Sequence, residues 1–317
     1  MRDQNVTILI LLWLAMLCVG CSITQLTVNQ TVKIFEAASQ TFDKEADLAL
    51  ADAGIMANLK TFEGLLEISP DNEKLLLLTA RAFASYAFGF VEDKMEAAEV
   101  EEDFDTAAEM RARAIDYYGR SQRYGFKLLS KANKTFPKVF DEDIETLERA
   151  LKKLKKKHLS ALFWTAYAWG GSINLQQDDP MQVVDLAKVE LMMRRVIELD
   201  ETFFFGGAHL FYGVYYGSRS PELGGEPKKA KAHLQKADEI SSGRLLIGKL
   251  LLARYYAYPT QDRVLYEKTL QEIIDAPNDI FPEQQIINAI AKARAKRWIV
   301  QVDELFDEAE QDVGEGL

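Results

Sequence analysis

From Val32 onward, apolar residues recur at steps of three and four in one segment after another, and the eight prolines fall between those segments. A chain punctuated this way can bury its apolar stripes only by packing helix against helix. No strict alternation bounded by hairpin turns competes with that pattern. The expected fold class is therefore all-α. Residues 43–68 put Leu48, Ala51, Ile55, Leu59, Phe62, Leu65 and Leu66 on one stripe and stop before Ser69-Pro70, with Asp71 or Asn72 able to cap the next helix. Residues 73–92 are apolar around most of their circumference, which predicts deep burial. Further helices are expected over 107–132, 141–154, 158–175, 181–199, 203–216, 228–240, 244–258, 262–275 and 282–309.

The start of the chain follows different rules. Residues 6–19 are one apolar run behind a short head carrying Arg2 and Asp3, the plan of a secretory signal. The run is short for a ~30 Å hydrocarbon core. It ends in Leu17-Cys18-Val19-Gly20-Cys21, similar to a bacterial lipobox in which Cys21 becomes the lipidated first residue, although Cys18 stands where Leu is usual. A plain cleaved signal with an incidental cysteine is the alternative. With lipidation, residues 1–20 are the lipoprotein signal peptide and 21–42 a lipidated tether and linker. An all-helical domain follows over 43–310, then an acidic tail over 311–317. Residues 22–31, polar and β-branched without a period, read as the tether. The expected location is the periplasm, anchored to a membrane through Cys21.

Composition removes several function classes. Forty-nine acids against 38 bases give a net charge of −11, a field that repels phosphate backbones, so no nucleic-acid partner is expected. The only two cysteines are Cys18 and Cys21, so the body has no thiolate for a metal or a nucleophile. His158, His209 and His233 are too far apart in sequence for a local metal pair. Gly206-Gly207 and Gly224-Gly225 lack the Lys-Ser/Thr of a phosphate loop. No cofactor, no metal and no catalytic residue are expected. The eight carboxylates within residues 92–105 read as a solvated connection, and the lysines of 152–157 as a solvated helix face.

Several helix pairs have tetratricopeptide character, a hairpin of about 34 residues with small residues where helices approach. The ending Leu65-Leu66-Glu67-Ile68-Ser69-Pro70 is echoed by Val196-Ile197-Glu198-Leu199-Asp200. More particular are Leu162-Phe163-Trp164-Thr165-Ala166-Tyr167-Ala168-Trp169-Gly170-Gly171, Gly206-Gly207-Ala208-His209 and Ser218-Arg219-Ser220-Pro221-Glu222-Leu223-Gly224-Gly225. With Asn288 ahead of Ala291-Lys292-Ala293-Arg294-Ala295, they make the chain resemble the TatT family, the T components associated with tripartite ATP-independent periplasmic (TRAP) transporters.

The resemblance implies an array of cryptic tetratricopeptide-like hairpins around an apolar channel, in a homotrimer. It further implies a non-catalytic role: docking the periplasmic substrate-binding protein of a TRAP transporter and assisting uptake of a small hydrophobic or organic-acid ligand. The alternative is a tetratricopeptide lipoprotein scaffold for envelope or outer-membrane protein assembly. For such a channel, Trp164, Tyr167, Trp169, Tyr212, Tyr215 and Tyr216 are the candidate lining residues, each with ordinary core packing as its competing role. Arg219 either pairs with a ligand carboxylate or caps a helix end.

Overall fold

A computed structural model describes residues 24–134, 136–140 and 143–306. The signal segment, Cys21 and the acidic tail lie outside the described residues. Within them the chain is helical and contains no strand. Helix α1 covers 24–43 and α2 Leu48–Ile68; α3, Glu73–Tyr86, passes through a π-helical turn, Ala87–Val91, into α4, Glu92–Val100. Then come α5 (Phe104–Ala132), α6 (Phe136–Val139), α7 (Ile144–Lys152) and α8 (Leu159–Asn174). They are followed by α9 (Pro180–Val183), α10 (Leu186–Asp200), α11 (Phe203–Gly217) and α12 (Pro227–Ile240). Helix α13, Leu246–Leu252, runs into a second π turn, Ala253–Ala257, before α14 (Arg263–Asp275), α15 (Gln285–Ile299) and a last turn at 302–306.

Side-chain caps start many of these helices. Asp47, Asn72, Asp103, Asp143 and Asp262 each accept from backbone N–H groups of the first turn of α2, α3, α5, α7 and α14. Helix α5 packs against α3, α4 and α8, while α11 packs on α12 and α10, and α14 on α15. One apolar core joins α2 through α11, a second joins α13 through residue 306, and Phe88 and Ile287 pack against both. The run Glu73–Val100 is long and apolar enough to cross a membrane, but most of its apolar stretch is buried inside the protein.

Four expectations need correction. Residues 24–31 do not form a loose tether but the first turns of α1. Val28 and Val32 are buried with Phe62, Leu66 and Leu75, and Phe35 meets Phe62 edge-on at 5.0 Å. Their i, i+4, i+7 spacing is a narrow helical stripe that the surrounding polar residues conceal. Nor is the acidic stretch a solvated connection throughout. Its first nine residues continue the α3 helix as α4, with Glu92 and Glu96 buried. Finally, the helix expected over 181–199 is interrupted between α9 and α10, and the start of α11 is not regular. There Phe204, Phe205 and Gly206 adopt left-handed φ of 47°, 57° and 78°. For the two phenylalanines this conformation costs roughly 1–2 kcal/mol per residue.

Candidate functional site

The helices enclose a cavity of about 1180 Å³. That exceeds the ~300–1,000 Å³ usual for a ligand pocket. One wall is aromatic. From α8 it takes Phe163, Trp164 and Tyr167, from α11 Phe204 and Phe211, and from the first π turn Phe88. Trp164 and Tyr167 are three residues apart and so share a face of α8. The Trp164 ring meets Tyr167 at 5.5 Å and Phe204 at 4.9 Å, both edge-on. Gly217 lets the second π turn come close, since a Cβ there would sit 2.1 Å from the Tyr255 carbonyl oxygen. Exposed Gln177, Asp178, Leu223 and Pro259 also border the cavity.

The adjoining wall is ionic, and both π turns shape it. A π turn rotates the residues after it relative to a plain α-helix, and such turns are frequent at functional sites. After the first turn, Glu92 and Glu96 point inward and are 9% and 8% exposed. Tyr118 donates to Glu92 Oε1. Burial pushes the Glu92 carboxyl up to about 7, with Arg294 and the Tyr118 hydrogen bond pulling the other way and Glu96 adding to the rise. Arg294, 3% exposed, donates through Nη2 to the Phe88 carbonyl at 2.6 Å and lies 4.7 Å over the Phe88 ring. Its other contacts are Glu96 Oε1 at 3.6 Å and Asp93 Oδ1 at 3.5 Å. Arg297 is hydrogen-bonded to Asp93. The second π turn brings Arg254 within 3.8 Å of Glu96 Oε1. Glu96 Oε2 and the Nε atoms of Arg294 and Arg297 are buried without a hydrogen-bond partner.

The TAtT family, described as TRAP transporter T-component, matches residues 44–306. The chain belongs to that family. The match spans the helices from just before α2 to the last described turn and thus the greater part of the cavity wall. No curated protein matches the chain. The motifs that carried the resemblance have structural work in this T-component. Asn288, buried, accepts from the Leu246 N–H and donates to the Arg244 carbonyl, both at 2.9 Å, fixing α15 to the start of α13. Gly206 takes the left-handed turn that opens α11. Arg294, from the Ala-rich motif, is the centre of the ionic wall.

The structure distributes the candidate residues in two groups. Trp164, Tyr167, Tyr215 and Arg219 line the cavity of the T-component. Trp169 faces elsewhere, as five residues after Trp164 it must, being rotated ~140° around the helix; it lies edge-on to Phe126 and Phe140, both at 5.6 Å. Tyr212 donates to Glu190 Oε1 at 2.8 Å and stacks on His233 at 4.8 Å, and Tyr216 flanks the same histidine at 5.8 Å. Arg219 Nε and Nη2 both donate to the Tyr215 carbonyl, at 3.1 and 2.9 Å, which is the helix-capping geometry. Its guanidinium also lies 4.0 Å over the Tyr215 ring. Cys21 lies outside the described residues.

His209 and His233, distant in sequence, meet through Nδ1 atoms 2.9 Å apart. Burial lowers both, His233 to about 4, so near neutral pH both rings are uncharged and one donates its Nδ1–H to the Nδ1 of the other. Sequence reasoning missed Glu92, Glu96, Arg254 and Arg294 as cavity residues. A signal for Arg294 existed. Ala291, Ala295 and Trp298 are buried at i, i+4 and i+7, and Arg294 occupies the i+3 position of that same stripe.

Proposed function

We propose that this T-component is a non-catalytic periplasmic lipoprotein, anchored through Cys21, that docks the transporter's substrate-binding subunit and passes a small hydrophobic or organic-acid ligand through its interior. The observation that carries this reading is the cavity itself: large, predominantly apolar, walled by aromatic rings and bordered by exposed residues of separate loops. Burial of an apolar body supplies affinity there, and a few polar groups supply orientation. In this reading the paired helices act as tetratricopeptide-like walls, the interior is a channel rather than a closed void, and the protein works as a homotrimer.

The decisive experiment is affinity capture of the mature protein from an envelope extract. Recovery of a solute-binding protein in stoichiometric amount is expected; consistent recovery of none would overturn the docking role. A Cys21→Ser change tests the anchor separately. It should release the protein from membranes and leave its unfolding midpoint unchanged, because a lipid tether contributes no core.

A further inference from the structure

Five arginines line the cavity: Arg81, Arg111, Arg219, Arg254 and Arg294. Four have their hydrogen bonds. Arg81 holds Asp43 with both distances 2.7 Å, Arg111 holds Glu99 at 3.1 Å, Arg219 holds the Tyr215 carbonyl, and Arg294 holds the Phe88 carbonyl. Arg254 makes none among the described residues. Its nearest acid oxygen, Glu96 Oε1, is 3.8 Å away, beyond hydrogen-bond reach, and that oxygen is also the one Arg294 approaches at 3.6 Å. The Arg254 side chain is 46% exposed, and its guanidinium lies 5.1 Å over the ring of Trp298, another lining residue. A guanidinium resting on an indole with its N–H groups unspent is suited to a planar oxyanion.

A continuous aromatic path leads away from it. Arg294 covers Phe88, Phe88 meets Tyr167 at 6.3 Å, Tyr167 meets Trp164 at 5.5 Å, and Trp164 meets Phe204 at 4.9 Å. We propose that Arg254, with Arg294 behind it, is the carboxylate-binding pole of the cavity, and that the ligand class is an amphipathic monocarboxylate whose apolar body lies along the Phe88–Tyr167–Trp164–Phe204 wall. The proposal rests on the ligand-carrying reading of the cavity given above.

The charges around the pole support it. Arg297 is committed to Asp93. Arg254 and Arg294 then face Glu96 and Glu92, with Tyr118 of α5, Tyr167 of α8 and Tyr266 of α14 as the titratable neighbours on the other packed helices and Tyr255 beside Arg254 on its own turn. With Glu92 ionised the pole is neutral, and with Glu92 protonated it carries one positive charge. A ligand carboxylate repels the Glu92 carboxylate and so binds together with a proton. Affinity for a carboxylate therefore rises as the pH falls from about 8 to about 6, and affinity for an uncharged analogue does not.

Titration calorimetry on the purified full chain with decanoate and with decanol tests this. Decanoate should bind at least about tenfold more tightly than decanol, and Arg254→Met should remove that preference while leaving decanol binding and the unfolding midpoint as they are. Glu92→Gln should abolish the pH dependence of decanoate binding. If decanoate and decanol bind alike, or Arg254→Met leaves the decanoate preference intact, the carboxylate pole is overturned and the ligand-carrying reading stands. If the wild-type chain binds neither probe, the ligand-carrying reading falls, and the pole with it.

Discussion

The two walls of the cavity are held together by opposite means. The α8–α11 wall is made of rings whose contacts are short-ranged, additive and tolerant, each pair adding about 0.5–1.5 kcal/mol beyond its buried area. The wall between α4 and α15 is made of charges withdrawn from water. Its stability depends on its central cation, because removing Arg294 leaves Glu92 and Glu96 buried and undercompensated. In the proposed ligand-carrying reading, the aromatic wall is the surface that the apolar body lies along and the ionic wall is the point that holds its carboxylate end.

The largest effect that separates the walls is expected at Arg294. Arg294→Met keeps the volume and the packing on Phe88 but leaves Glu96 and Glu92 facing fewer cations, a loss of about 3–5 kcal/mol in urea unfolding. A loss below ~1 kcal/mol would show that the ionic wall is as tolerant as the aromatic one and would dissolve the contrast.

Legibility in the sequence divides along the same line. Trp164 and Tyr167 were readable because their chemistry and their shared face lie within the 16 residues of one helix, and α8 as a buried helix followed from its density of aromatics. The ionic wall was not. Glu92 and Glu96 are two of eight carboxylates within residues 92–105, and nothing local separates this buried pair from the other six. Their partners come from elsewhere: Arg294 reaches the Phe88 carbonyl across 206 positions of sequence. The π turns that rotate Glu92 and Arg254 inward are also invisible to a period-3.6 reading. Tyr212 and Tyr216 fail for a related reason, since the histidine they stack on is supplied by α12.

A second, smaller effect comes from pH. The Glu92 carboxyl rises from its ordinary 4.5 to about 7 in the folded protein, mainly through burial. Below about 4.5 both folded and unfolded chains hold that proton, and between there and about 7 only the folded chain does. Folding then carries an excess proton, so stability declines as the pH rises through this window and levels off above it. Glu92→Gln should flatten that limb and leave the variant roughly 1–3 kcal/mol more stable than the wild type above neutral pH. A variant that tracks the wild type at every pH would mean that Arg294 keeps Glu92 ionised throughout.

The smallest effects sharpen the comparison most, because two tyrosines allow the same single-oxygen change on each wall. Tyr118, fully buried, donates its hydroxyl hydrogen to Glu92, whereas the Tyr167 hydroxyl makes no hydrogen bond among the described residues. Tyr118→Phe deprives a buried carboxylate of its donor and should cost about 1.5–3 kcal/mol. It should also raise the Glu92 carboxyl further, since that hydrogen bond is one of the influences holding it down. Tyr167→Phe leaves the ring, its edge contact with Trp164 and the aromatic path intact, and should change stability by less than ~0.5 kcal/mol. Equal losses for the two variants, measured as urea midpoints at the same pH, would mean that the Tyr167 hydroxyl is tied into the ionic wall and that the boundary between the walls lies beyond α8, not at it.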